Sequence, residues 1–335
     1  MKNISLKNLF NVCLIALVIA VTFFTVSAFT DDRGIQLGAV ALNTLAEKEL
    51  IKHFRHEDTW LQEVPDKNAW VNNDVIKLTA IGADPEVLIN NTTYPIAIVG
   101  RVDDSTAVSL YKFDTVNTPI TDDEIYALPY DKAGSVQEQH REYLEERTAE
   151  MGLHSLAVQE NTATTPVIET TGADDGTGRK RLTSIDLINF KKILDDLKVP
   201  KKGRVLVLCS AHVADLLIED RAFEKQYHNA TAGVLATNYY GFKVYETVYA
   251  PVYGTDNKKK AFSAAPAGTD RPATVAFYAP RTAKARGSVK RYMREAAGDP
   301  EFRRTVVGFR LYHIVIPTKN SGFGAIISGV VEEEG

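Results

Sequence analysis

The chain has 335 residues, 44% of them hydrophobic and 24% charged, with 21 glycines, 13 prolines and a formal net charge of −4. Those proportions exclude a collagen-like, low-complexity or wholly disordered protein, and so small a charge excludes a strongly basic nucleic-acid binder. Two cysteines, Cys13 and Cys209, and seven scattered histidines offer no disulfide framework and no cysteine-built zinc site.

Lys2 and Lys7 precede residues 8–30, which carry no charged side chain, and Val26-Ser27-Ala28 closes the run with small residues. Positive flank, apolar middle and small-residue exit describe a secretory signal peptide. The span is also just long enough for one transmembrane helix, which needs ~20 apolar residues, and a third reading is an apolar arm buried inside an assembly. Cleavage after Ala28 would remove two lysines and take the net charge to −6. Beyond Asp31 the chain turns polar, and the spacing over Leu42–Phe54 predicts a helix that ends before Pro65.

Residues 75–130 hold short β-rich runs at 75–81, 94–99 and 108–113, separated by turn formers at 82–85, 90–91 and 103–104. This layout predicts a long two-stranded excursion, marginal alone and in need of a surface to rest on. A helix follows. Ser135 and Glu138 fit a capping box, Val136, Tyr143, Leu144 and Met151 form a thin apolar stripe, and Gly152 is placed to stop it. The polar stretch 161–181 marks a boundary. Then an α/β pattern begins, with a helix capped by Thr183 or Ser184, an apolar strand at 204–209 and a helix over 212–220. Strand-like stretches follow at 239–253, 273–278, 305–317 and 324–331, with Gly241 marking a turn or bulge.

Candidate chemistry is thin. His53 and His56 with Glu57 lack a further ligand, and the zincin pattern is absent. Cys209-Ser210-Ala211-His212 stands where a strand gives way to a helix but lacks the glycines of a nucleophile elbow; a buried thiol and a Ser210 N-cap account for it more simply. Residues 172–180, Gly-Ala-Asp-Asp-Gly-Thr-Gly-Arg-Lys, lack phosphate-loop spacing and read as a flexible linker. Arg281, Lys284, Arg286, Lys290, Arg291 and Arg294 follow one another with no acid between them, either a partner surface or a solvated loop and edge strand. No catalytic set, metal site or cofactor motif emerges.

The order of parts is the stronger signal. Leu182-Thr-Ser-Ile-Asp-Leu, Lys198-Val-Pro-Lys-Lys-Gly-Arg-Val-Leu-Val-Leu, Ala214-Asp-Leu-Leu, Gly241-Phe-Lys-Val and the closing strands Phe309 to Ile327 follow a leading arm, a long β excursion and a charged helix. That ordered set resembles the major capsid protein of tailed bacteriophages, the Hong Kong 97-type α+β fold, over residues 35–331. The resemblance implies a non-enzymatic shell subunit without cofactors. It implies an N-arm at 31–74 behind the apolar segment 1–30, an extended β-loop at 75–130 and a peripheral domain with its spine helix at 131–182. An axial domain at 183–280 and peripheral return strands at 281–335 complete the layout. Implied partners are further copies in hexamers and pentamers, a scaffold, a portal, a maturation protease and packaged double-stranded DNA, with membrane contact through residues 8–30 left open. Some relatives crosslink a loop lysine to an asparagine on a neighbour; Lys77 and Lys112 lie in the matching loop, but the other partners find no place here. Residues Lys77 to Glu124 carry a net charge of −5, Asp103 and Asp104 among the acids, opposite in sign to the basic run. Assembly contacts are therefore expected at Asp103, Asp104, Lys112, Arg286, Lys290, Arg291 and Arg294. Shells of this kind assemble in the host cytoplasm, whereas a signal peptide points outward, so the rival reading is a secreted or membrane-anchored bacterial surface protein that binds a ligand.

Overall fold

Strand β7 (Arg204–Cys209) shows how the sequence dictates the first layer: all six of its residues are buried, as a continuous apolar run requires. Val205 and Val207 point into one core with Trp60, Leu153, Leu156 and Val315, while Leu206 and Leu208 point into another with Leu187, Phe190, Val213, Leu216 and Phe223. The sheet around it runs β6 (Val167–Glu169), β14 (Phe323–Ile327), β11 (Arg271–Tyr278), β7, β9 (Phe242–Thr247) and β8 (Val234–Tyr239), with β10 (Val252–Tyr253) also on β11. It is mixed: β7 is parallel to β9 and β6 to β14, while β11 runs antiparallel to both its neighbours. Helices α2 (Ser184–Asp196), α3 (Ser210–Glu219) and α4 (Arg221–His228) supply buried side chains to the second core. This computed structural model describes residues 60–80, 86–101, 103–121, 123, 132–228, 234–265 and 267–331. The apolar segment 8–30, the helix expected over 42–54, His53, His56, Asp122 and Glu124 lie outside the described residues.

Local sequence signals hold where the chemistry is strong. Thr183 caps α2 with a complete capping box, its hydroxyl taking the Asp186 amide proton while Asp186 takes the Thr183 amide. Others shift. Cys209, not Ser210, is the N-cap of α3, and Ser210 is its first helical residue. The expected strand 239–253 is the second half of a hairpin: Tyr240 and Gly241 both have positive φ and make the two-residue turn between β8 and β9.

The second layer is a long ribbon of β12 (Thr282–Arg294) and β13 (Arg304–Pro317), paired along almost their whole length around a bulge between Arg286 and Val289. Strands β4 (Tyr111–Asp114) and β5 (Thr118–Thr121) both pair with β13. Alternation divides β13 into two faces. Val307, Phe309, Leu311, His313 and Val315 are buried on the face that meets α1 (Lys132–Leu156). Helix α1 begins before the Ser135 box and runs through Gly152. That glycine is there for closeness, since a Cβ on it would lie 3.0 Å from Val315 Cγ2. Its buried stripe is Val136, His140, Leu144, Thr148, Gly152 and Leu156, an i+4 row containing two polar residues, whereas Tyr143 is exposed.

On the opposite face, Ile314 of β13 and Ala285 of β12 pack with Ile76 and Leu110, helped by Leu78 and Val108. These come from a three-stranded ribbon, β1 (Val71–Asn72), β2 (Val75–Ala80) and β3 (Asp104–Ser109). The β1–β2 turn, Asn73-Asp74, has positive φ at both residues, and Asp74 Oδ1 accepts from the Ser288 amide at the β12 bulge at 3.1 Å. The run read as one strand over 108–113 is broken at Leu110, which ends the ribbon and starts β4 on another sheet.

Candidate assembly surface

Between β2 and β3 the chain projects residues 86–101, which form no regular element. Here the sequence reading needs correction: Tyr94-Pro-Ile-Ala-Ile-Val99 has strand composition but no strand partner, and Pro95 lacks an amide for a ladder. Val87, Ile89, Ile98 and Val99 are 81%, 84%, 101% and 88% exposed, and Leu88, Tyr94 and Ile96 are exposed beside them. Isolated surface apolar residues are ordinary, but seven within thirteen positions form a patch of the kind that marks an interaction site. The missed signal was the break in alternation imposed by Pro85, Asn90-Asn91 and Pro95, which prevents the run from burying its own side chains.

The basic run is not one patch. Lys284, Arg286, Arg291 and Met293 lie opposite Val315, His313, Phe309 and Val307, on the face that meets α1. Lys290, Tyr292 and Arg294 lie opposite Arg310, Gly308 and Val306 on the other face. Lys112 and Asp114 of β4, opposite Tyr312 and Arg310, join that second face. It carries Lys112, Lys290, Arg294, Arg304 and Arg310, against Asp114 on Arg310 at 3.0 Å and Asp299 on Arg294 at 2.8 Å. The Arg310 guanidinium stands 5.3 Å over the Tyr292 ring. Beside Arg310, the Asp114 carboxyl is held below its usual range, chiefly by that hydrogen bond. Of the remaining basic side chains, Arg281 donates to the Ser321 carbonyl at 3.0 Å and Lys284 to the Leu61 carbonyl at 2.9 Å. On the acidic side, Asp103 is exposed and takes a 2.6 Å hydrogen bond from Arg101, and Asp104 is the first residue of β3, paired with Ala80.

The reactive-looking motifs are structural. His212 bonds Thr274 Oγ1 through Nδ1 at 2.7 Å and Ser328 Oγ through Nε2 at 3.0 Å, and all three residues are buried. Burial lowers the His212 pKa to about 4 and pushes the Cys209 thiol up, so neither group resembles an activated base or thiolate. Residues 172–180 are no loose linker. Asp174 accepts from the Gly176 and Gly178 amides, and Arg179 forms a bidentate pair with buried Asp215 at 2.7 and 2.8 Å. Asp215 also accepts from the Leu182 amide at 2.9 Å, tying this loop to α3.

The same backbone architecture is found in solved structures. A capsid chain of Ralstonia phage GP4 superposes with a TM-score of 0.60 at 10% identity, covering 84% of this chain and 93% of its own length. This is the Hong Kong 97-type capsid fold. A capsid chain of cyanophage P-SCSP1u matches at TM-score 0.53 and 12% identity, over 79% of this chain and 84% of that one. The subunit of a virus-like particle from Pyrococcus furiosus matches at 0.53 and 9% identity, over 85% and 99%. No protein-family model and no curated protein sequence matches the chain. The likeness therefore lies in backbone architecture, as the order of elements in the sequence implied.

Proposed function

We propose that this chain is the major shell subunit of a tailed phage or prophage head, assembling through hexamers and pentamers into a closed icosahedral shell around double-stranded DNA. The observation that carries the reading is the shared fold across nearly the whole length of the capsid chain from Ralstonia phage GP4. The scaffold, portal and maturation protease that such heads employ are part of the proposal, as is assembly in the host cytoplasm. So is the division into N-arm 31–74, extended loop 75–130, peripheral domain 131–182 with 281–335, and axial domain 183–280. A secreted or anchored ligand-binding protein draws no support from this fold. Sedimentation velocity on the purified chain tests the reading: rings or particles far heavier than one subunit support it, and a single monomer peak at high concentration opposes it.

Charge supplies the proposed docking register. The acidic ribbon, with Asp103 and Asp104 at the foot of β3, faces in a neighbouring copy the open sheet face carrying Lys112, Lys290 and Arg294; Arg286 and Arg291 lie on the reverse. Exposed pairs are worth only ~0–1 kcal/mol each, so their effect falls on encounter and orientation more than on final affinity. Reversing Asp103 and Asp104 to lysine is expected to slow assembly about tenfold, measured by light scattering, while circular dichroism stays unchanged. Salt at 1 M, with a Debye length of about 3 Å, should mimic the defect. Unaltered rates in both arms remove the electrostatic contribution and leave the shell assignment standing.

A further inference from the structure

One end of the first-layer sheet carries three loops that mesh. Strand β7 starts at Arg204 opposite Tyr278, where β11 ends, and β14 starts at Phe323 opposite Phe277. The Ala279 amide donates to the Gly203 carbonyl and the Tyr278 amide to the Gly322 carbonyl, both at 2.9 Å. The Thr318 amide reaches the Arg281 carbonyl at 2.8 Å, and a Cβ on Gly322 would lie 3.5 Å from Val199 Cγ1. With neighbouring strands ~4.8 Å apart, the stems of loops 197–203 and 318–322 are about 10 Å from each other.

These two loops hold Lys198, Lys201, Lys202 and Lys319, all exposed, and no acid. Among the described residues, none of the four ammonium groups has a salt bridge or hydrogen bond. The adjoining acids are Asp195, taken up by Arg204 at 2.6 Å and Lys191 at 3.3 Å, and exposed Asp196, four residues after Lys192. The base under the lysines is firm. Val199 and Arg204 are buried, and Arg204 Nε donates to the Pro200 carbonyl at 3.1 Å. Lys198 follows the α2 cap Leu197 at a φ of 55°, a position that favours glycine or asparagine. A cation there complements the α2 dipole, but that account does not extend to Lys201, Lys202 and Lys319.

Four unpaired cations on a chain of net charge −4 form a local surface that invites an anion from outside the chain. Protein interfaces are poor in lysine and centre on buried apolar and aromatic side chains. Neither loop contains an exposed large apolar side chain. A phosphate backbone needs only positive charge, and lysine supplies a mobile point charge rather than a flat fork matched to one carboxylate.

We propose that Lys198, Lys201, Lys202 and Lys319 form a binding site for the phosphate backbone of double-stranded DNA, engaged without regard to sequence. The inference deepens the shell reading and rests on it for the presence of DNA.

The test is fluorescence anisotropy with a labelled 30-base-pair duplex of arbitrary sequence and the full-length chain, kept below the concentration at which it assembles. If all four lysines meet phosphates, the logarithm of affinity falls with that of salt at a slope of about −3.6, or about 150-fold between 50 and 200 mM. Lys201→Gln with Lys202→Gln, and separately Lys198→Gln with Lys319→Gln, should each make the slope shallower by about 1.8. The control pair Lys225→Gln with Lys258→Gln, exposed lysines outside these loops, should leave it unchanged. Circular dichroism checks each fold, and either loop pair that folds is sufficient. No binding at 50 mM salt overturns the site, as does an unchanged slope in a folded loop pair or an equal loss in the control. Displacement of the duplex by poly-glutamate at equal charge overturns DNA as the partner and points to an acidic protein surface. Each of these failures leaves the shell reading to sedimentation, which reports on assembly and not on DNA.

Discussion

Replacing Val87, Ile89, Ile98 and Val99 together by serine is expected to abolish assembly at concentrations where the parent chain assembles, while leaving the subunit's thermal unfolding unchanged. The four side chains are almost wholly exposed in the single chain, so the fold gains nothing from them. Fully burying such a residue is worth about 1.5–3 kcal/mol. If a neighbouring copy covers each by about half, the lost contact amounts to about 4 kcal/mol per loop. At 1.4 kcal/mol per tenfold, the critical concentration rises by about a thousandfold. Light scattering across a concentration series reads the shift. A critical concentration within threefold of the parent would show that the apolar tip lies outside every contact between copies.

The largest effect on the subunit itself is expected at Arg179. Its guanidinium clasps Asp215 with two hydrogen bonds, and Asp215 is 3% exposed. Arg179→Met removes the cation and keeps much of the side-chain volume, leaving a buried carboxylate with the Leu182 amide as its remaining hydrogen-bond donor among the described residues. Breaking one partner of a buried pair costs about 3–5 kcal/mol, a large part of the stability of an ordinary domain. Removing both, as Arg179→Met with Asp215→Leu, should recover most of the loss, because no stranded charge remains. Urea denaturation measures both. A single variant within 1 kcal/mol of the parent would mean that the loop 172–180 contributes little to holding α3.

How far the sequence was legible follows from how locally each feature is determined. The helix cap at Thr183, the buried strand 204–209 and the turn at Gly241 are short-range chemistry and stand where expected or within a residue or two. Helix α1 was legible in existence but not in extent. A glycine at 152 reads locally as a stop, whereas the close approach of Val315 makes it an interior contact fixed by a strand more than 160 residues away. His140 and Thr148 were invisible as core residues for the same reason: polar side chains take a buried row only when a distant partner, here Phe309 or the helix's own carbonyls, satisfies them. The basic run misled because charge was counted along the chain, and the alternation of β12 sends Lys290 and Arg294 to one face and Arg286 and Arg291 to the other. The apolar run at 94–99 looked like strand because composition records the need for burial without recording what does the burying.

The most direct measurement of the central claim is electron microscopy of the purified chain, prepared with and without residues 1–28, after concentration at neutral pH and moderate salt. The account predicts rings with five or six lobes and closed particles of uniform size in at least one preparation. The intact mass of the subunit in those particles then reports whether the apolar segment 8–30 is retained. A field of separate monomers at the highest attainable concentration, with circular dichroism showing both preparations folded, would contradict it.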